Sequence, residues 1–87
     1  MARYEAAIDH AMLAGAANAT GDVFFQLGMV YSTGKDAPPD YVAAHKWFNL
    51  AAMRGNREAV RLRREIAEQM SEAEIALAQR AARAWLR

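Results

Sequence analysis

The sequence of 87 residues contains no cysteine, which excludes disulfide bonds and metal sites built from thiolates. No apolar run approaches the roughly 18 residues that a membrane-spanning helix needs. Residues 1–10 lack the charged and then apolar layout of a signal peptide. We therefore expect a soluble, cytoplasmic protein with no membrane segment.

The sequence also lacks the residue patterns that carry catalysis. His10 and His45 have no acidic residue and no second histidine three or four positions further on. Ser32 and Ser71 stand outside any G-x-S-x-G motif. The segment G-K-D-A-P-P (34–39) lacks the residue spacing of a Walker phosphate-binding loop. Because no nucleophile, base and orienting group can be assembled, we expect no enzymatic activity, no cofactor and no metal ion.

The net charge of +1 is unevenly distributed along the chain. Residues 1–43 contain two basic and five acidic side chains, whereas residues 44–87 contain nine basic and five acidic ones. A nucleic-acid surface is therefore one alternative, and its candidate residues are Arg54, Arg57, Arg61, Arg63, Arg64, Arg80, Arg83 and Arg87. Glutamates four positions after three of these arginines dilute the patch, and no aromatic residue interleaves with it to stack bases. Nucleic-acid binding is thus the less favoured alternative.

The segment 22–55 organises the rest of the chain as a helix, a turn and a second helix. Its first helix carries an amphipathic stripe with Gly28 inside it, which predicts close approach of a neighbouring helix. Gly34 is predicted to end that helix with a positive φ, and Asp40 is predicted to cap the next one. The second helix has one broad apolar face, made of Tyr41, Ala44, Trp47, Phe48, Ala51 and Ala52.

This segment resembles a Sel-like repeat, a short helix-turn-helix relative of the tetratricopeptide repeat. The residues at matching spacing are Leu27, Gly28, Tyr31, Gly34, Asp40, Ala44, Trp47, Ala51, Ala52 and Gly55. Val23, Asp36 and Ala37 depart from the pattern, where the family has alanine, a second loop glycine and valine. The resemblance implies an α/α solenoid unit used for contact with another protein.

Helical patterns also flank the repeat on both sides. Residues 3–17 predict an N-terminal helix, and residues 56–87 predict a degenerate capping hairpin with Asn56 as one N-cap and Ser71-Glu74 as a capping box. The C-terminal residues predicted to point inward are Ala59, Leu62, Ile66, Met70, Ile75, Ala78, Ala82 and Trp85. We therefore expect a single all-α domain, 1–87, made of about five helices in antiparallel helix-turn-helix units.

Four apolar residues also occur at positions where the repeat family commonly has polar ones, and a fifth, Phe24, is unusually large for its position. We interpret them as a binding surface for a partner protein, and they are Phe24, Met29, Val42, Leu50 and Met53. The sequence leaves two alternatives open for these residues. The helix at 3–17 or the last helix covers them inside the domain, or they form a homodimer contact.

Overall fold

The computed structural model describes residues 21–35 and 37–86, so the helix predicted at 3–17 lies outside the described residues. Four α-helices follow one another in the described ranges: α1 (Gly21–Thr33), α2 (Tyr41–Met53), α3 (Arg57–Ala67) and α4 (Glu72–Trp85). The prediction of an all-helical fold is confirmed. Helix α2 is central, because it packs against each of the other three.

Helices α1 and α2 form an antiparallel hairpin. At one end, the backbone N–H of Asp40 donates a hydrogen bond of 2.8 Å to the carbonyl of Tyr31, which ties the start of α2 to the end of α1. At the other end, a Cβ atom on Gly21 would lie 3.1 Å from the carbonyl oxygen of Ala51. The start of α1 therefore lies beside the end of α2, as a helix-turn-helix unit requires.

The helix boundaries follow from the capping residues that the sequence predicts. The Asp40 side chain accepts from the N–H of Ala43 at 3.0 Å, and the Asn56 side chain accepts from the N–H of Ala59 at 2.9 Å. The capping box at the start of α4 is complete, since Ser71 and Glu74 each accept from the other's backbone N–H. Gly34 and Gly55 both have positive φ, at 69° and 94°.

Close packing in the middle of the hairpin explains the glycine inside α1. A Cβ atom at Gly28 would lie 2.5 Å from two ring carbons of Phe48 on α2, far inside van der Waals contact. Any larger side chain would therefore push the ring away. This contact compensates for the roughly 1 kcal/mol by which a mid-helix glycine disfavours the helix.

The hydrophobic core lies around α2. Within the part of the chain that the structure describes, its largest fully buried side chains all come from the hairpin, and they are Phe24, Phe48, Leu27 and Leu50. Helix α3 adds buried Ala59, and α4 adds buried Ala78 and Ala82. The small residues of α3 and α4 allow both helices to approach α2, while Leu62, Ile66 and Trp85 pack against the edge of the core.

Candidate functional site

The structure contradicts the assignment of Phe24 to a partner-binding surface. Its side chain is 0% exposed and stacks on Trp47 with ring centroids 5.8 Å apart. Trp85 of α4 meets it edge to face at 5.3 Å, and the Arg54 guanidinium lies 5.5 Å from the ring centroid. The last helix therefore covers Phe24 inside the domain, which is one of the two alternatives that the sequence leaves open.

Leu50 is also a core residue rather than a contact residue, since it is 1% exposed. The physical reason is the position of α2 between three other helices. A helix with one neighbour buries one stripe, whereas a helix surrounded on several sides buries residues outside that stripe as well. Leu50 lies outside the face of Trp47 and Ala51 and is nevertheless buried in the same cluster.

The remaining three residues of the predicted surface are accessible to different degrees. Met53 is 58% exposed, Met29 is 37% exposed and Val42 is half-buried. Because the hairpin is antiparallel, Met29 lies near the loop end and Met53 near the opposite end. With Leu50 buried between Val42 and Met53, the predicted apolar row is not continuous.

Val42 lines an open groove that sequence reasoning does not find. The groove lies between the connection that precedes α2 and the start of α4, and its lining residues are Pro38, Pro39, Asp40, Tyr41, Val42, Gln69 and Glu74. Asp40 and Glu74 are both exposed, and each takes part in capping a helix through one carboxylate oxygen. Their capping roles are visible in the sequence, but their shared groove depends on how α4 packs on α2.

The burial of His45 on α2 is a second feature that the sequence does not predict. Its side chain is 3% exposed, and its Nδ1 atom is buried with no hydrogen-bond partner. Arg63 of α3, which donates a hydrogen bond of 2.6 Å to Asn49 Oδ1, contributes a positive charge nearby. Burial first, and then the charge of Arg63, lower the pKa of His45 below its usual 6.5. The imidazole is therefore held in its neutral form at neutral pH.

Three arginines of the candidate nucleic-acid surface contact other residues of the chain. Arg61 pairs with Glu58 and with Glu65, the latter at 2.7 Å and as predicted from the spacing. Arg63 is half-buried against Asn49, and Arg54 lies over the ring of Phe24. These contacts give three of the eight candidate arginines a structural role, while Arg57, Arg64, Arg80 and Arg83 are exposed.

Comparison with protein-family models, with curated proteins and with solved structures finds no match to this chain. The Sel-like resemblance thus stays a prediction that rests on the residues quoted above. Within residues 21–35 and 37–86, no group of three or more histidine, aspartate or glutamate side chains is arranged to hold a metal ion. None of the described helices is long and apolar enough to cross a membrane.

Proposed function

We propose that the protein is a non-catalytic interaction module of the cytoplasm that binds another protein through its helical-repeat surface. The observation that carries this proposal is the exposure of two methionines, Met29 and Met53, on the two helices of the hairpin. Methionine is flexible and polarizable, so it adapts to the shape of a bound partner. The proposed contact residues are now Met29, Val42 and Met53, without Phe24 and Leu50.

The roles of the repeat-like residues support the same proposal. Leu27, Tyr31, Ala44, Trp47 and Ala51 are all buried in the hairpin core. These five residues that match the Sel-like pattern thus serve the packing of the two helices, which leaves the outward positions to determine what the surface binds. Binding of a partner through the outer residues of a helical hairpin is the use that the resemblance implies.

The experiment is affinity capture from a lysate of the source organism, with wild-type protein beside a Met29→Glu/Met53→Glu variant. Leu77→Glu serves as the matched control, because Leu77 is another exposed apolar residue, on α4. We expect one protein to be retained by the wild type and by the control but not by the double variant. Unfolding is checked by circular dichroism, since substitutions at exposed positions usually change stability by about 0.5 kcal/mol or less.

Two outcomes would contradict the proposal. Equal retention by all three proteins would remove Met29 and Met53 from the contact site. A wild type that is a dimer by light scattering, and a double variant that is a monomer, would instead assign these methionines to a contact between two copies of this chain.

A further inference from the structure

We propose that the groove between the start of α2 and the start of α4 binds a lysine or arginine side chain from a basic segment of a partner protein. This inference rests on the proposed function and adds the chemistry of the partner to it. The groove combines an apolar wall with two carboxylates, Asp40 and Glu74. That combination complements a long side chain with an apolar stem and a cationic head.

The apolar wall comes from residues around the loop that joins α1 to α2. Pro38 and Pro39 are exposed there, and Tyr41 and Val42 are half-buried beside them. Lysine and arginine side chains pack their methylene stems along such apolar surface while the charged head stays near water or an anion. A guanidinium also stacks on aromatic rings, which gives Tyr41 a direct role.

The two carboxylates retain acceptor capacity after they have capped their helices. Asp40 uses Oδ1 to accept from the N–H of Ala43, and Glu74 uses Oε1 to accept from the N–H of Ser71 at 2.8 Å. An ionised carboxylate offers about four lone-pair sites, so one backbone bond does not saturate it. Neither groove carboxylate forms an ion pair with another residue of the described part of the chain.

Charge complementarity therefore selects a cationic occupant over an acidic or neutral one. An acidic segment would place like charges together at the two helix starts. A neutral segment would use the apolar wall but leave the carboxylates without a partner other than water. Hydrogen bonds between a guanidinium and a carboxylate are about twice as strong as neutral ones, and they are directional.

The test is a titration of the ¹⁵N-labelled full chain, followed by NMR, with the peptide acetyl-Ala-Arg-Ala-Arg-Ala-amide. The comparison peptide replaces arginine by citrulline, which keeps the shape and removes the charge. We expect the arginine peptide to shift the amide signals of residues 40–42 and 69–75, and the citrulline peptide to bind at least tenfold more weakly.

The decisive variant is Asp40→Asn/Glu74→Gln, because asparagine is as good an N-cap as aspartate and glutamine fits a capping box. The variant therefore removes both charges and keeps both caps. We expect it to weaken binding of the arginine peptide about tenfold or more, as expected from the loss of charge-assisted hydrogen bonds. Glu72→Gln, in the same first turn of α4 but outside the groove, is the matched control and should change binding less than twofold.

Equal binding of the two peptides, equal binding by the double variant, or signal shifts elsewhere on the molecule would each overturn the inference. Its failure is distinguishable from failure of the proposed function. A partner that is captured through Met29 and Met53, and is retained equally by Asp40→Asn/Glu74→Gln, would leave the interaction module in place and remove only the groove.

Discussion

The α1–α2 hairpin and the C-terminal helices α3 and α4 are held in the fold by different kinds of interaction. Among the described residues, the largest fully buried side chains all belong to the hairpin. The fully buried residues of α3 and α4 are alanines, and the largest side chain that α4 brings to the core is Trp85, which is only half-buried. Side-chain packing therefore specifies the hairpin, whereas α3 and α4 depend more on their caps and on a few contacts at their edges.

The typical free energies of these interactions also indicate that the hairpin is the more stable of the two regions. Burying a large apolar side chain contributes about 1.5–3 kcal/mol, and an N-cap contributes about 1 kcal/mol. The ion pairs of Arg61 are exposed, and pairs of that kind contribute between zero and about 1 kcal/mol. Helices α3 and α4 should therefore be the less stable part of the described structure.

The largest effect is expected from Phe24→Ala, in the hairpin. This substitution removes the ring that contacts both Trp47 and Trp85, and it should lower the free energy of unfolding by about 3–5 kcal/mol. Urea denaturation followed by circular dichroism measures the change. Met53→Ala, at an exposed position, is the control and should stay within about 0.5 kcal/mol of the wild type.

The same pair of variants separates the core role of Phe24 from the contact role that the sequence suggests. If Phe24→Ala were as stable as Met53→Ala, the ring could not be a principal part of the core. Side-chain packing would then not stabilise the hairpin more than it stabilises α3 and α4.

A smaller and more local effect is expected from Trp85→Ala in α4. Trp85 meets Phe24 and Trp47 edge to face, at 5.3 and 5.6 Å, and is partly open to water. Since only part of its surface is buried, we expect a loss of about 2 kcal/mol, below the range for a fully buried tryptophan. Hydrogen exchange should show that α4 loses protection while α1 and α2 keep theirs.

Leu86→Ala is the control for this measurement, because Leu86 follows Trp85 and is 43% exposed. It should leave the exchange rates of α4 nearly unchanged. A uniform loss of protection across all four helices in Trp85→Ala would show instead that α4 and the hairpin unfold as one unit.

Features that depend on a few neighbouring residues are predictable from the sequence. Asp40, Asn56 and the Ser71-Glu74 box cap helices as expected, because an N-cap needs only its own side chain and a backbone N–H two or three positions later. The close approach at Gly28 is also predictable, although its partner Phe48 is not. The all-helical class follows from the same local patterns.

Features that depend on how many helices surround α2 are not predictable in this way. The sequence pattern places Leu50 on the surface because it lies off the main apolar face, whereas α2 has neighbours on several sides. The groove of Asp40 and Glu74 joins residues more than thirty positions apart in the sequence. The burial of His45 is not predictable either, because an isolated histidine on a helix is expected to be partly exposed. Only the packing of the neighbouring helices shows that it is buried.

The smallest expected effect is a dependence of the free energy of unfolding on pH. It involves both regions, because His45 lies on α2 and Arg63 on α3. The folded state holds the pKa of His45 below 6.5, so between the folded and unfolded pKa values the unfolded chain binds more protons than the folded one. Stability should therefore rise with pH and be lost as pH falls below about 6.5, by at most about 1.4 kcal/mol per pH unit for one proton. Urea midpoints at pH 7.5 and 5.5 measure this loss, with His45→Leu as the control.

The control isolates His45, because the substitution removes this one imidazole and the contributions of all other groups cancel in the difference. We expect the wild type to lose more stability than His45→Leu between pH 7.5 and 5.5. The same loss in both proteins would mean that protonated His45 is tolerated inside the fold, with water reaching Nδ1.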